Sequence, residues 1–293
     1  TGGERSKWIG LLNVPFALAA LFGPTLGGWM VDTLSWRHIF WWSLPLFVLC
    51  FVFMVGMPRL VQGAARRIDV AGAVLVAIAS SAFIFGLSFA GTTYPWGSVQ
   101  VIGLLALAAV FCWLFLRAES RAEEPFFDPD LLRNRVFMTA SVAGFLSFFG
   151  VMAVQLYYPL FMQGIQGISA TRSGQVITPL GFLMAFVGVP VGFLVARTKK
   201  YKWMFVAGYA LVTLVMFWMM FFDRNTPAYF GFVAACLSGL ALGAMPTVNT
   251  IVAQAAVPRR LLGVATSAIL FSVAMGMATA PAILGSAMNI RYN

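Results

Sequence analysis

The chain of 293 residues is 61% hydrophobic and only 10% charged, with a formal net charge of +10 and a mean hydropathy of +0.89. A soluble domain carries roughly a quarter charged residues, so the composition excludes a water-soluble globular protein. The positive charge by itself is compatible with nucleic-acid binding, a class that the placement of the basic residues argues against below.

Stretches without Asp, Glu, Lys or Arg follow one another along the whole chain. A membrane-spanning helix needs about 20 such residues, and most stretches hold one span. The stretch 70–116 holds two, because the turn-forming sequence GTTYPWGS at 91–98 divides it. We therefore predict an all-α polytopic membrane protein with nine spans: 8–31, 39–57, 70–90, 98–116, 136–162, 173–196, 203–222, 227–253 and 261–288.

The first span contains the sequence GPTLGG at 23–28, an unusual choice for the middle of a helix. Small residues four positions apart let membrane helices approach closely, and a proline removes one backbone hydrogen bond and bends the helix. This pattern predicts a bent contact face, which serves either transport or helix packing alone. Its residues are Ala19, Gly23 and Gly27 on one stripe and Ala20, Pro24 and Gly28 on the next.

The basic residues are distributed unequally between the connecting segments. When these segments are assigned alternately to the two sides of a membrane, one side receives all but four of the 19 Lys and Arg residues. Cytoplasmic loops hold the excess of basic residues, so we expect the first residue in the cytoplasm and the last residue outside. The charge is thus a topology signal with some attraction for membrane lipid, and nucleic acid is not an expected partner. The four exceptions are Arg37, Arg172, Arg224 and Arg291.

Uncharged polar side chains inside the spans are the candidates for lining a substrate path. Gln155 and Tyr158 lie three positions apart, which predicts one shared helix face. Asn249 and Gln254 lie low in the eighth span. Each of these side chains either contacts a substrate or hydrogen-bonds a neighbouring helix.

The chain lacks the residues that catalysis would need. All nine acidic residues lie in loops or at span ends, His38 is the only histidine, and the three cysteines lie far apart in different spans. A membrane-embedded enzyme needs clustered His, Cys, Asp or Glu at depth, and no phosphate-binding G-x-x-x-x-G-K-[ST] loop occurs. We expect no enzyme, no metal site and no cofactor.

The mixed-charge loop 117–135 is the best candidate for a boundary between two helix bundles. There is no initiator Met, and the chain stops just after the ninth span. We expect part of a longer protein, the alternative being a complete protein of nine spans with a trimmed start.

The motif order from end to end resembles one branch of the major facilitator superfamily. Gly10, Ala19, Gly23-Pro24 and Gly28 stand at the spacing of the antiporter signature in the fifth helix, with Ala19 where the signature has Gly. DTLSWRHIFWWSLP at 32–45 is similar to the next stretch of the fourteen-helix drug:proton antiporters, with Ser43 where that branch often has Asn. Further similar stretches are RRIDVAG, DLLRNRVF, YYPLFMQ, GLALGAMP and VPRRLLGVATS.

The resemblance implies an incomplete two-bundle fold that covers helices five to thirteen. Residues 1–58 would hold the last two helices of the N-terminal bundle, 59–134 an extra central pair, and 135–293 five helices of the C-terminal bundle. The face at 19–28 would pack on the opposite bundle, against Gly188, Pro190 and Gly192. Leucine at Gly23 or Gly28 would then abolish transport.

The function implied is export of small, mostly hydrophobic or drug-like compounds across the cell membrane by proton antiport. The proton-coupling residues of such proteins would lie upstream of Thr1. The alternatives are a facilitator or symporter of another small solute, or a non-transporting membrane scaffold or sensor. Neither the substrate nor the driving ion follows from the sequence.

Overall fold

A computed structural model describes residues 2–56, 69–120, 130–198, 202–258 and 261–292, with the side chains of the first helix described from Leu18 onward. These residues form helices, with an isolated bridge between Ala90 and Tyr94 as their β-type pairing. In chain order the helices are α1 (Gly2–Thr33), α2 (Arg37–Val55), α3 (Val70–Phe89), α4 (Val99–Glu119), α5 (Asp130–Arg133), α6 (Arg135–Met152), α7 (Tyr158–Gly164), α8 (Ala170–Thr198), α9 (Lys202–Met219), α10 (Ala228–Ala255) and α11 (Leu262–Tyr292).

The predicted all-helical membrane architecture is confirmed. Eight helical segments among the described residues are long and apolar enough to cross a membrane. The ninth predicted span, 8–31, lies within the 32-residue helix α1, which continues through Pro24 without interruption. The predicted break between the third and fourth spans is also present, because Gly91 adopts a φ of 70° and the Ser98 hydroxyl caps α4 at the Val101 amide.

One span is not a regular helix. Residues Ala153–Tyr157 form a π-helical turn between α6 and α7, and the Tyr158 amide donates to the carbonyl of Ala153, five residues back. Pro159 follows immediately and has no amide proton, so the regular ladder cannot pass through this point. The turn rotates every later side chain relative to the regular helix.

Helix α8 lies at the centre of the packing. It contacts α10 extensively along one face and α1 along another. Helix α6 packs against α11 and α10, α9 packs against α10, and the α3–α4 hairpin contacts α11. Helix α2 has no buried residue among those described. The predicted boundary loop 117–135 falls in part outside the described residues, which leave out 121–129.

Candidate functional site

Helices α1 and α8 approach so closely along one contact that their backbones touch. We call this contact the α1–α8 seam; its members are Ala20, Pro24, Thr25, Gly28 and Asp32 of α1 and Ala170, Thr171, Gly174, Thr178 and Gly181 of α8. A Cβ added to Gly28 would lie 2.6 Å from the carbonyl carbon of Ala170, and one added to Gly174 would lie 2.8 Å from that of Pro24. Because real Cβ atoms essentially never come closer than 3.0 Å to another heavy atom, the seam needs glycine at both positions.

Two hydroxyl groups join the helices in the middle of the seam. The hydroxyl oxygens of Thr25 and Thr178 are 3.1 Å apart. The Thr178 hydroxyl donates to the carbonyl of Gly174 in its own helix, at 2.9 Å. Since that proton is already used, the Thr25 hydroxyl is the donor across the seam.

Asp32 closes one end of the seam by capping the neighbouring helix. Its carboxylate accepts hydrogen bonds from the amides of Ala170 and Thr171 at 3.1 and 2.7 Å, and from the Thr171 hydroxyl. These are among the amides at a helix start that have no partner within the helix. The bonds from the Thr171 hydroxyl and amide, and then from Ala170, hold the pKa of Asp32 below its ordinary value of 3.8.

The other stripe of the predicted contact face does not meet α8. A Cβ at Gly23 or Gly27 would have nothing within 4 Å, and Ala19 is exposed. Gly10 lies in the part of α1 whose side chains are outside the description. The structure therefore divides the motif into a stripe in contact, with Pro24 and Gly28, and an open stripe.

The residues predicted to oppose this face lie elsewhere on the same helix. Gly188 and Gly192 face α10, where added Cβ atoms would lie 2.9 Å from the Thr247 hydroxyl and 3.4 Å from its methyl group. Pro190 is exposed. Among the described residues, α1 instead meets the segment 170–181, which lies nearer the start of α8.

The π-helical turn separates two of the predicted path residues. Gln155 lies within the turn and is exposed, whereas Tyr158 follows it and is only 5% exposed. The Tyr158 ring lies against Gly231 of α10 and stacks on Phe161. The two side chains therefore do not share a face, and only Gln155 is open to the surroundings.

The other two predicted path residues, Asn249 and Gln254, lie at contacts between helices. Asn249 is 1% exposed and lies beside Tyr209 of α9, and its side-chain oxygen has no hydrogen-bond partner among the described residues. The Tyr209 hydroxyl lies 2.7 Å from that of Ser147 in α6. Gln254 donates to the Thr266 hydroxyl of α11 at 2.9 Å. Gln254 therefore has the second of the two roles that the sequence allowed, whereas Asn249 is a buried polar side chain whose role stays a prediction.

A cavity of about 550 Å³ lies between α6, α9 and α10, and it was not predicted from the sequence. Leu146, Val212 and Leu242 line its apolar wall, and Arg135 lies at one end. One sequence feature could have indicated this cavity. Residues at four-residue spacing along α6 all line it: Met138, Val142, Leu146 and Gly150.

The described acidic residues lie at helix ends or in connecting segments, as predicted. Asp69 caps its own helix α3 by accepting from the Gly72 amide at 2.9 Å, and Asp223 accepts from the Asn225 amide in its own loop. Glu119 also lies at a helix end, but it is only 1% exposed and lies beside Gly72. The sequence did not indicate this burial.

Comparison with known proteins identifies the family of this chain. The family model of the Major Facilitator Superfamily matches residues 1–281. The chain is 30% identical over 292 residues to the "Multidrug transporter protein MdtP" of Bacillus subtilis, covering 99% of this chain and 54% of that protein. It is 31% identical over 287 residues to the "Multidrug resistance protein Stp" of Mycobacterium tuberculosis, covering 97% of this chain and 53% of that protein.

A fungal relative is similar over the same extent. The "MFS-type efflux transporter pyiT" of Pyricularia grisea is 28% identical over 300 residues, covering 99% of this chain and 50% of that protein. The chain thus spans about half the length of these curated relatives.

Proposed function

The chain belongs to the major facilitator superfamily, and from that premise we propose that it forms part of a secondary active transporter that exports small, mostly hydrophobic or drug-like compounds. Three of its relatives carry names that refer to multidrug transport, multidrug resistance or efflux. We further propose proton antiport as the energy source and a multi-pass location in the cell membrane, with Thr1 in the cytoplasm and Asn293 outside.

The observation that carries the proposal is the α1–α8 seam. It joins a helix from the first part of the chain to one from the last part through close backbone contacts at Gly28 and Gly174 and through the hydroxyls of Thr25 and Thr178. A contact of this kind suits two bundles that alternately close and separate around a central path. The seam lies near the ends that the basic-residue count assigns to the outside, so the proposed state is closed on the outer side.

We assign the proton-coupling residues to the part of the longer protein that would precede Thr1. An ionisable side chain within the membrane is expensive enough to be functional by default. The described acids lie at helix ends or in loops. The exchange of protons is therefore assigned to the remainder of the longer protein, as the resemblance implied.

The test uses the full-length protein, reconstituted into vesicles with an imposed pH gradient. Efflux of a fluorescent hydrophobic cation should occur only with the gradient, and addition of the substrate should release protons in the opposite direction. Flux without a gradient would indicate a facilitator, and flux in the direction of the protons a symporter. A membrane scaffold or sensor would move none of the compounds. The matched control is the Gly28→Leu variant, which should reach the membrane without transporting.

A further inference from the structure

The end of the α1–α8 seam differs from its middle in carrying a charge. Asp32 reaches from the last turn of α1 to the first turn of α8 and accepts from Ala170 and from both donors of Thr171. Asp69 and Asp223, by contrast, accept the bonds described above within their own segments. Asp32 is therefore placed to sense whether the two helices are together or apart.

We propose that Asp32 is a positioning residue of the transport cycle, a latch that holds the outer end of the α1–α8 seam closed. The proposal rests on the proposed function, because a latch has a role only if the two helices separate. It adds a charged, reversible element to a contact that otherwise consists of backbones, small side chains and the hydrogen bond between Thr25 and Thr178.

The first turn of α8 has two backbone amides that its own cap does not bind. Ser169 already serves as the internal cap, since its hydroxyl accepts from the Arg172 amide at 3.3 Å and its carbonyl accepts from the Ser173 amide at 2.9 Å. The amides of Ala170 and Thr171 remain, and Asp32 accepts from both. A carboxylate is favoured there because the start of a helix carries a partial positive charge. The two caps together satisfy the amides at the start of α8 without competing.

The exposure of the site makes the latch releasable. Asp32 lies at the surface, so water can replace the donors of α8 when the helices separate. A buried ion would have to be desolvated again in every cycle, which is energetically costly. The arrangement is therefore strong enough to favour the closed state and weak enough to open repeatedly.

Disulfide formation across the seam measures this closure without any substrate. In the full-length protein, Cys50, Cys112 and Cys236 are replaced and Thr25→Cys and Thr178→Cys are introduced. These two positions are suited to cross-linking, because their hydroxyl oxygens are 3.1 Å apart in the closed seam. At constant pH, the rate of oxidant-induced disulfide formation then measures the fraction of time that the seam is closed.

We expect Asp32→Ala to slow the cross-link by about threefold, the size of effect that a surface charge at a helix end produces. Thr171→Val removes one of the donors and should slow it less. Asp32→Glu should restore much of the rate, because it keeps the carboxylate. Thr33→Ala is the matched control, since the Thr33 hydroxyl donates to Trp29 of its own helix, and it should leave the rate unchanged.

An unchanged rate in Asp32→Ala, with the protein present in the membrane, would overturn the latch. If Asp32→Ala does not accumulate, Asp32→Asn and Thr171→Val replace it. Unchanged cross-linking rates in both of these variants would also overturn the latch. The cross-linking result and the transport assay distinguish failure of the latch from failure of the proposed function. A protein that cross-links as expected but moves no compound would overturn export and leave Asp32 as the closing contact, whereas normal export with an Asp32-independent cross-link would overturn the latch alone.

Discussion

Helix α8 has two close contacts that differ in how much they bury. Toward α1 the contact consists of backbones and small side chains, and no described residue of α1 is fully buried. Toward α10 it includes Leu180 and Leu242, each 1% exposed, and more than half of the apolar window of α10 is buried. Both contacts are built on glycine, but only the second is filled with interlocking side chains.

The difference indicates which of the two contacts can open. Close-packed bulky side chains lose many van der Waals contacts when they separate, and lipid does not replace the fit. A seam of small residues with a few exposed hydrogen bonds loses far fewer van der Waals contacts when it opens. We therefore interpret the α8–α10 contact as permanent and the α1–α8 seam as the one that moves.

The largest expected effect is that of Gly243→Leu in the permanent contact. A Cβ at Gly243 would lie 2.7 Å from the Cα of Met184, so the backbones would have to separate. Overpacking costs about 1–3 kcal/mol or more, and we expect little folded protein in the membrane. Gly263→Leu is the control, because nothing lies within 4 Å of a Cβ there. Equal yields of monodisperse protein would contradict the interpretation.

Gly28→Leu should give a folded protein that does not transport. The side chain would strike the Ala170–Thr171 backbone and keep the seam open. An overpacking cost of about 1–3 kcal/mol corresponds to a shift of up to about a hundredfold toward separation. We expect at least about tenfold slower efflux at normal membrane abundance. A loss of abundance as severe as that of Gly243→Leu would mean that the two contacts are equally structural.

Asn249→Ala tests whether a buried polar residue belongs to the permanent packing or to the substrate path. Truncating a side chain that is 1% exposed removes packing contacts and should cost about 0.5–3 kcal/mol, so we expect a lower Tm and an unchanged apparent substrate affinity. Gln155→Ala is the comparison, because Gln155 is exposed in the π-helical turn. It should leave the Tm unchanged. A selective change of affinity in Asn249→Ala would place that residue on the path.

The pH dependence of the seam follows from the lowered pKa of Asp32. A carboxylate whose folded-state pKa lies below its ordinary value of 3.8 stabilises the contact above that value, and the stabilisation is lost as the pH falls through the lowered pKa. Spin labels at the exposed positions Leu34 and Ile165 should therefore report a constant distance from pH 8 to about pH 5 and a longer one only in stronger acid. Asp32→Asn should remove the acid step, and a step near neutral pH would contradict this assignment.

The smallest expected effect is that of Gly23→Leu. The sequence motif gives Gly23 and Gly28 the same importance, but the structure separates them, since a Cβ at Gly23 has nothing within 4 Å. We expect near-normal efflux and yield. A loss as severe as that of Gly28→Leu would instead show that the open stripe packs against a helix outside this chain.

The sequence by itself determined where the apolar membrane-spanning segments lie along the chain, because a membrane requires about 20 apolar residues with every backbone group satisfied. It also indicated the stripe of α1 with Pro24 and Gly28 and the helix that this stripe meets. The register along α8 did not follow from the sequence. Small residues recur at Gly174, Gly181, Gly188 and Gly192, so spacing alone cannot select the ones that meet α1.

The tertiary structure decided that register, and it did so through groups that sequence patterns do not connect. Gly28 lies against Ala170, Gly174 lies against Pro24, and Asp32 at the end of α1 accepts from the start of α8, so segment 170–181 is the part of α8 that lies opposite α1. The π-helical turn before Pro159 separates Gln155 from Tyr158, because one extra residue in a turn rotates everything that follows. Periodicity predicts faces only while the helix stays regular, and contacts between distant segments determine which faces meet.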